Sequence, residues 1–544
     1  MRKFFLSVLF AALTMGLTAQ TRYFFAPVGL GDEDGSSWEN AAGGEWLGAT
    51  LAAAEPGTEF YLMEGNYLPD YNTNKWVIPQ GVLVKGGYPT TMTGTNTNYD
   101  YTKGGQSIFS ADLDGDGKGD NTDYAFVYIG EGDPTAKSEA YYKDWQMTEI
   151  WGITFRDGYR LNSKYWGNMV FVQAAQADFH FCRFFNNESP TNDGSNGSNG
   201  AIEIWGSAVR CFDCIFRDNI TAKGSGAAFQ IRARKSNSST TDPADYAIGY
   251  FERCEFRNNI AYGTLLSTET DQQWGTYGGN CAVADNSGTV YLVNCLIADS
   301  KAWYRGVGIR VSGNTTGYFI NNTFYNNPCR QRSNRASNNG SAISAGNDSR
   351  TYYAGNIMVE YAANDDFTTT DAVVFIQNAS ATVTSAGNNI FGTVMNNSTQ
   401  PGGFLATDKI PSALENVNTI ENTFGTNVIE NKGGISNVIA PLATVGTYDL
   451  AAVKALVATW PIDEMAKVMD LDKDQRGYTR AANSVAGSYD PNGVAPEGGN
   501  NEAIDHVQMN QAKGVYSLLG HYLGETMDQL PAGLYIVNGK KVIK

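Results

Sequence analysis

At 544 residues, with 60 glycines, 30 tyrosines and only 17% charged residues, the chain lacks the composition of a helical protein, and its 12% aromatic content excludes a disordered one. A formal charge of −17 repels phosphate backbones and excludes nucleic acid as a partner. What remains is an all-β protein rich in turns.

The first element is a leader. Arg2 and Lys3 precede an apolar run from Phe4 to Leu17, and Ala19 offers a small residue for cleavage, so residues 1–19 read as a signal peptide of a secreted or outer-surface protein. No cysteine follows to take a lipid anchor. No later stretch approaches the roughly 18 apolar residues that cross a bilayer, so the mature chain is expected to carry no transmembrane segment.

The sharpest single motif is DLDGDGKGDNTD at 112–123. Asp112, Asp114 and Asp116 alternate, Gly117 permits a sharp turn, Lys118 offers a backbone carbonyl, and Asp120 and Asp123 fill the later positions of a calcium loop. Hard oxygen ligands wrapped around one centre suit Ca²⁺. The loop departs from the usual pattern in ending on Asp123 rather than a longer glutamate, and in following a strand-like SIFSA. Calcium stapling the first coils is one reading, and a plain acidic turn is the other.

A phrase C-x-F-x-x-N then recurs as CRFFNN at 182–187, CIFRDN at 214–219 and CEFRNN at 254–259, with weaker copies at Cys295, Asn322, Asn356 and Asn389. Successive copies lie 27 to 41 residues apart, and a Gly-containing strand precedes most of them. Such a period without helical patterning predicts a solenoid in which each coil touches only its neighbours. Residues two apart on a strand share a face, so Cys and Phe point inward and stack in columns. The last Asn of each phrase (Asn187, Asn219, Asn259, with Ser300 and Asn327) is expected to turn the chain in left-handed geometry and bond the next coil. By the same count His180 faces inward with Cys182. Seven cysteines, four of them in equivalent places, favour buried thiols over disulfides. CFDC at 211–214 has no partner pair at zinc spacing, and residues three apart on a strand should face opposite ways, which leaves Cys211 a fortuitous disulfide at most. The FRD and FRN phrases (Arg156–Asp157, Arg217–Asp218, Arg257–Asn258) recur at several coils and read as turn architecture rather than as a catalytic base beside a carboxylate.

These Cys, Phe and Asn columns between Gly-led strands resemble right-handed parallel β-helix proteins of the pectin-lyase-like superfamily. The opening resembles them too: GSSW at 35–38 stands where such proteins enter a capping helix, and EFYLMEGNY at 59–67 where they begin the first strand. DQRGYTRAANSVAGSYD at 474–490 is similar to their closing phrase. The resemblance implies an all-β right-handed parallel β-helix over residues 20–490, with an N-terminal capping helix and a small C-terminal β module.

A Pro/Gly/Asn linker at 491–502 leads to residues 503–544, where LPAGLYIVNGKKVIK resembles the C-terminal sorting domain of Bacteroidetes type IX secretion, and Asn538–Gly539 marks a hairpin turn. The scaffold carries lyases, hydrolases, adhesins and inert surface proteins alike. The reading adopted is glycan binding or adhesion by a monomer, its partner a polysaccharide or a host or cell-surface glycan. The alternatives are a lyase or hydrolase acting on acidic polysaccharides, and a structural stalk. Trp166, Trp205, Trp274, Tyr277, Trp303 and Tyr304, near loops or strand ends, either stack on sugars or cap loops onto the solenoid. No Asp pair stands out as catalytic, so function is sought where the repeat is interrupted, at 112–123, 190–200, 235–247 and 263–278.

Overall fold

The computed structural model describes residues 21–69, 75–115, 125–130, 146–159, 169–189, 201–221, 226–233, 247–261, 282–285, 288–302, 306–327, 342–346, 348–359, 373–376, 380–392, 394–395, 402–410, 418–496, 515–516, 522–524, 534–537 and 540–543. Three long sheets dominate: sheet A with twelve strands, and sheets B and C with ten each. The chain visits them in rotation. Gln176–His180 lies in A, Arg183–Phe185 in B and Ile202–Trp205 in C. The next coil, Ala208–Phe212, Ile215–Arg217 and Phe229–Arg232, pairs with it strand for strand in parallel. Phe179 therefore sits on Cys211, Phe184 on Phe216 and Ile204 on Ile231. This is a parallel β-helix.

The inward columns are those the repeat predicts. The rings of Phe184 and Phe216 stack at 4.4 Å, and those of Phe216 and Phe256 at 4.8 Å. Cys182, Cys214, Cys254 and Cys295 are buried free thiols. Each donates to a carbonyl of the preceding coil, as Cys214 does to Phe179 and Cys254 to Cys211, both at 3.4 Å. Past Cys295 the same column continues in amides: Asn322 Nδ2 donates to Asn356 Oδ1 at 3.1 Å, and Asn356 to Asn389 at 2.8 Å. A second ladder joins Asn187, Asn219 and Asn259 through Nδ2–Oδ1 bonds of 2.9 Å.

Three expectations about direction are corrected. The left-handed residue is not the last Asn of each phrase but the one before it: Asn186, Asp218, Asn258, Asp299 and Asn326, with φ between 51° and 59°. A second left-handed corner joins the sheet A strand to the sheet B strand, at Phe181, Asp213, Arg253, Asn294 and Asn321. Such a corner breaks the two-residue alternation, so residues three apart across it share a face. Cys211 and Cys214 consequently both point into the core, and both are fully buried. For the same reason Phe179 and Cys182 are inward, and His180 stands on the outer face of sheet A.

The core is closed at its start by the helix Leu47–Ala52, whose Leu47 and Leu51 bury against the cluster holding Trp76 and Ile78. Burying each such side chain contributes roughly 1.5–3 kcal/mol. After the last sheet C strand, Val394–Met395, residues 402–410 add a partial coil, in which Lys409 bridges Ile390 in parallel and Asp408 accepts from Asn389 at 2.8 Å. Residues 418–494 return along the outside, and the helix Leu450–Val457, Trp460 and Leu471 form a second apolar core with Tyr250, Tyr291 and Tyr318 on the outer face of sheet A. Leu534–Val537 and Lys540–Ile543 pair antiparallel within a separate four-stranded sheet, and the expected turn at Asn538–Gly539 lies outside the described residues. Among the described residues, no helix is long and apolar enough to cross a membrane.

Candidate functional site

In-register stacking turns one outward position of each sheet A strand into a row running along the solenoid. One row reads Leu83, Glu149, Asp178, Arg210, Tyr250, Tyr291, Tyr318 and Tyr352. Its neighbour reads Lys85, Trp151, His180, Phe212, Glu252, Val293 and Ile320. The tyrosine half is covered. Tyr291 donates to Asp463 Oδ2 at 2.8 Å, Tyr318 donates to the Pro461 carbonyl, and Asn294 donates to the Asp470 carbonyl at 3.3 Å. On the first two strands Phe24 and Tyr61 lie beneath Trp38 and Tyr88 in one buried cluster, and Glu59 is closed off by Arg22, whose Nε donates to it at 2.6 Å. Between these covers lie four strands, Leu83–Tyr88, Met147–Trp151, Gln176–His180 and Ala208–Phe212, where Leu83, Lys85, Glu149, Trp151, His180, Arg210 and Phe212 stay partly exposed while Asp178 is buried behind Arg210.

This window gathers two cations and two carboxylates on adjacent strands, whereas elsewhere among the described residues the two rows hold only Glu252 and the Arg22–Glu59 pair at the first strands. Arg210 grips Asp178 with two bonds, Nε to Oδ1 at 2.8 Å and Nη2 to Oδ2 at 2.5 Å, and its Nη1 reaches the Met465 carbonyl at 3.5 Å. Burial pushes the Asp178 carboxyl up, Arg210 pulls it back and the adjacent Glu149 adds to the rise. Glu149 accepts from the Trp151 indole at 3.2 Å, and Lys85 lies 5.0 Å from the centre of the Trp151 ring. His180 is sandwiched, 3.9 Å from Trp151 and 4.9 Å from Phe212, with nearly parallel rings. Burial, with Arg210, Arg253 and Lys85 nearby, lowers its imidazole to about 3. Because these rings turn their faces to one another, they offer a ligand their edges rather than a flat stacking strip.

Where the window meets the returning segment, Glu252 is buried beside Tyr250, which donates to it at 2.5 Å, and Arg253, which donates at 2.6 Å. Burial raises Glu252 to about 7. Arg253 also clasps Asp213 with two bonds of 2.9 and 2.8 Å.

No family model matches this chain. No curated protein matches it either. Among solved structures it is similar to the crystal structure of pectate lyase Pel9A, at 12% identity and a TM-score of 0.31, over 75% of this chain and 84% of that one. It is also similar to the catalytic unit of a thermostable GH87 alpha-1,3-glucanase from Streptomyces thermodiastaticus strain HF3-3, at 11% identity and a TM-score of 0.18, over 74% and 72%. Neither likeness bears on substrate, and the fold rests on the strand pairings themselves.

Of the aspartate loop, Asp112 and Asp114 fall within the described residues and Asp116, Asp120 and Asp123 outside them. Asp112 Oδ1 accepts from the Gly115 amide at 2.8 Å, a tight turn at the loop's start. No group of three or more His, Cys, Asp or Glu among the described residues could hold a metal. The buried thiols do not substitute: burial raises Cys211 to about 11 and Cys214, Cys254 and Cys295 well above the ordinary range, which keeps them protonated. Arg217 pairs with Glu255 and Arg257 with Asp299 of neighbouring coils, so these phrases tie turns together. Trp205 packs beside Phe171 on sheet C, 6.1 Å between rings, in a small cluster with Tyr128. Trp166, Trp274, Tyr277, Trp303 and Tyr304 lie outside the described residues, as do 190–200 and most of the other two insertions.

Sequence reasoning missed Lys85, Glu149, Trp151, Asp178, Arg210 and Phe212. A signal was present, since MTEIW, QADFH and AVRCF all place polar or aromatic residues at alternate positions just ahead of each corner.

Proposed function

We propose that this chain is an exported carbohydrate-binding protein, and that it holds a glycan at the window formed by Lys85, Glu149, Asp178, His180 and Arg210. The observation that carries the reading is the convergence of these unrepeated charged side chains on the stretch of the outer face of sheet A that the described covering segments leave open. Ionised groups make the stronger hydrogen bonds to hydroxyls, and apolar ring edges beside them suit the mixed surface of a sugar. Within the window two cations face two carboxylates, so it has little net charge, while the chain as a whole is at −17. A neutral glycan fits that balance better than an acidic one. The leader, with Arg2 and Lys3 ahead of an apolar run, and the hairpin tail support export and attachment in the same reading, with calcium bound by Asp112, Asp114, Asp116, Asp120 and Asp123 as a structural staple.

Catalysis is the second reading, favoured by the neighbouring carboxylates of Glu149 and Asp178. Against it stands the state of the acid–base groups. Asp178 is locked to Arg210, and His180, neutral down to about pH 3 with both ring faces covered, is a poor base at neutral pH. Screening the mature chain on an array of neutral and uronate-containing glycans, with product analysis of every hit, separates these outcomes. Retention of neutral glycans without turnover supports binding, turnover supports the enzyme, and no retention sinks both. For the staple, Asp114→Ala with Asp116→Ala should abolish calcium-dependent thermal stabilisation of the mature chain.

A further inference from the structure

We infer that the window takes a short glycan segment or chain end of about three sugar units and does not let a long chain run on along the solenoid. The inference rests on the carbohydrate reading above and adds the length of what is bound. Two blocked ends carry it. Toward the C-terminal coils the row of outward side chains passes from Arg210 and Phe212 straight under the returning segment. Met465 reaches Arg210, Asp463 is bonded both ways to Tyr291, and Trp460 lies over Tyr318 and Tyr352, 6.2 and 5.2 Å between rings. Toward the N-terminal coils the Lys85 row passes to Tyr61 and Phe24 under a second cover, and the Leu83 row ends on the ion pair of Glu59 with Arg22 at the first strand. Trp38 is pinned by its indole to the Asn96 carbonyl at 2.7 Å, Tyr88 by its hydroxyl to Thr97 at 3.0 Å, and Tyr101 closes on Trp151 at 5.3 Å.

Strands of a sheet lie about 4.8 Å apart, so four open strands span roughly 14 Å along the axis. One sugar of an extended chain covers about one strand spacing, which gives about three units before either cover is met. Both covers are bonded to the sheet through buried aromatic side chains, so passage of a longer chain would require one of them to lift.

The test is the affinity of the mature chain for neutral gluco-, xylo- and manno-oligosaccharides of increasing length, measured by calorimetry. Affinity is expected to climb to about three units and then change less than about twofold up to six, while Trp460→Ala, which loosens one cover, lets it climb further. A rise of about tenfold or more between three and six units on the unaltered chain overturns the inference and leaves the carbohydrate reading standing. Failure of every series to bind, at any length, overturns that reading and this inference with it.

Discussion

Asn219 shows how much one side chain does in this fold. Fully buried, it donates to Asn259 and to the Phe184 carbonyl, and its own oxygen accepts from the amide and side chain of Asn187. Asn219→Ala leaves those buried partners unsatisfied, and a loss of about 1–3 kcal/mol in chemical denaturation is expected, whereas the exposed Asn258, left-handed and bonded to Asp218, should tolerate Gly better than Asp. His180 makes the second prediction at this scale. Its folded value of about 3 lies below the ordinary 6.5, so the stability it contributes is complete above 6.5 and is lost as pH falls toward 3. Imidazole NMR should find it neutral at pH 5, and protonation there would contradict the sandwich. The Cys, Phe and Asn columns were legible because they repeat. The side on which His180 stands was not, because Phe181 does not advertise a left-handed corner, although Asp213, Asn294 and Asn321 at the equivalent corners do so by residue type.

The returning segment is the element that most shapes the exposed surface. Trp460→Ala removes its contacts with Tyr318 and Tyr352, and about 3–5 kcal/mol is the usual cost of such a truncation. Faster hydrogen exchange and proteolysis confined to residues 460–471, with the coils still protected, is the expected outcome. Glu252 gives this contact a pH dependence. Its folded value of about 7 lies above the ordinary 4.5, so its contribution is complete below 4.5 and is lost as pH rises through 7. Melting temperatures of Glu252→Gln across pH 5 to 8 should lack the decline seen in the unaltered chain. The segment's position could not be read from the chain, because the contacts that fix it, such as Tyr291 with Asp463, join residues 172 apart and leave no local periodicity. The capping helix and the strand Glu59–Met63, by contrast, follow phrases whose pattern is local.

At the scale of the whole molecule, an acidic solenoid presents one nearly neutral window. Binding there should change little between low and high salt, because the attraction does not arise from the chain's net charge. The repeat made the scaffold legible and hid the window, since attention to what recurs overlooks a cluster that occurs once. The central claim is that Glu149 and its neighbours hold the ligand. The direct measurement compares the affinity of the mature chain and of Glu149→Gln for the same neutral oligosaccharide. Loss of a hydrogen bond to an ionised group predicts a weakening of about tenfold or more with an unchanged melting temperature. An affinity within about twofold of the unaltered chain would contradict the account.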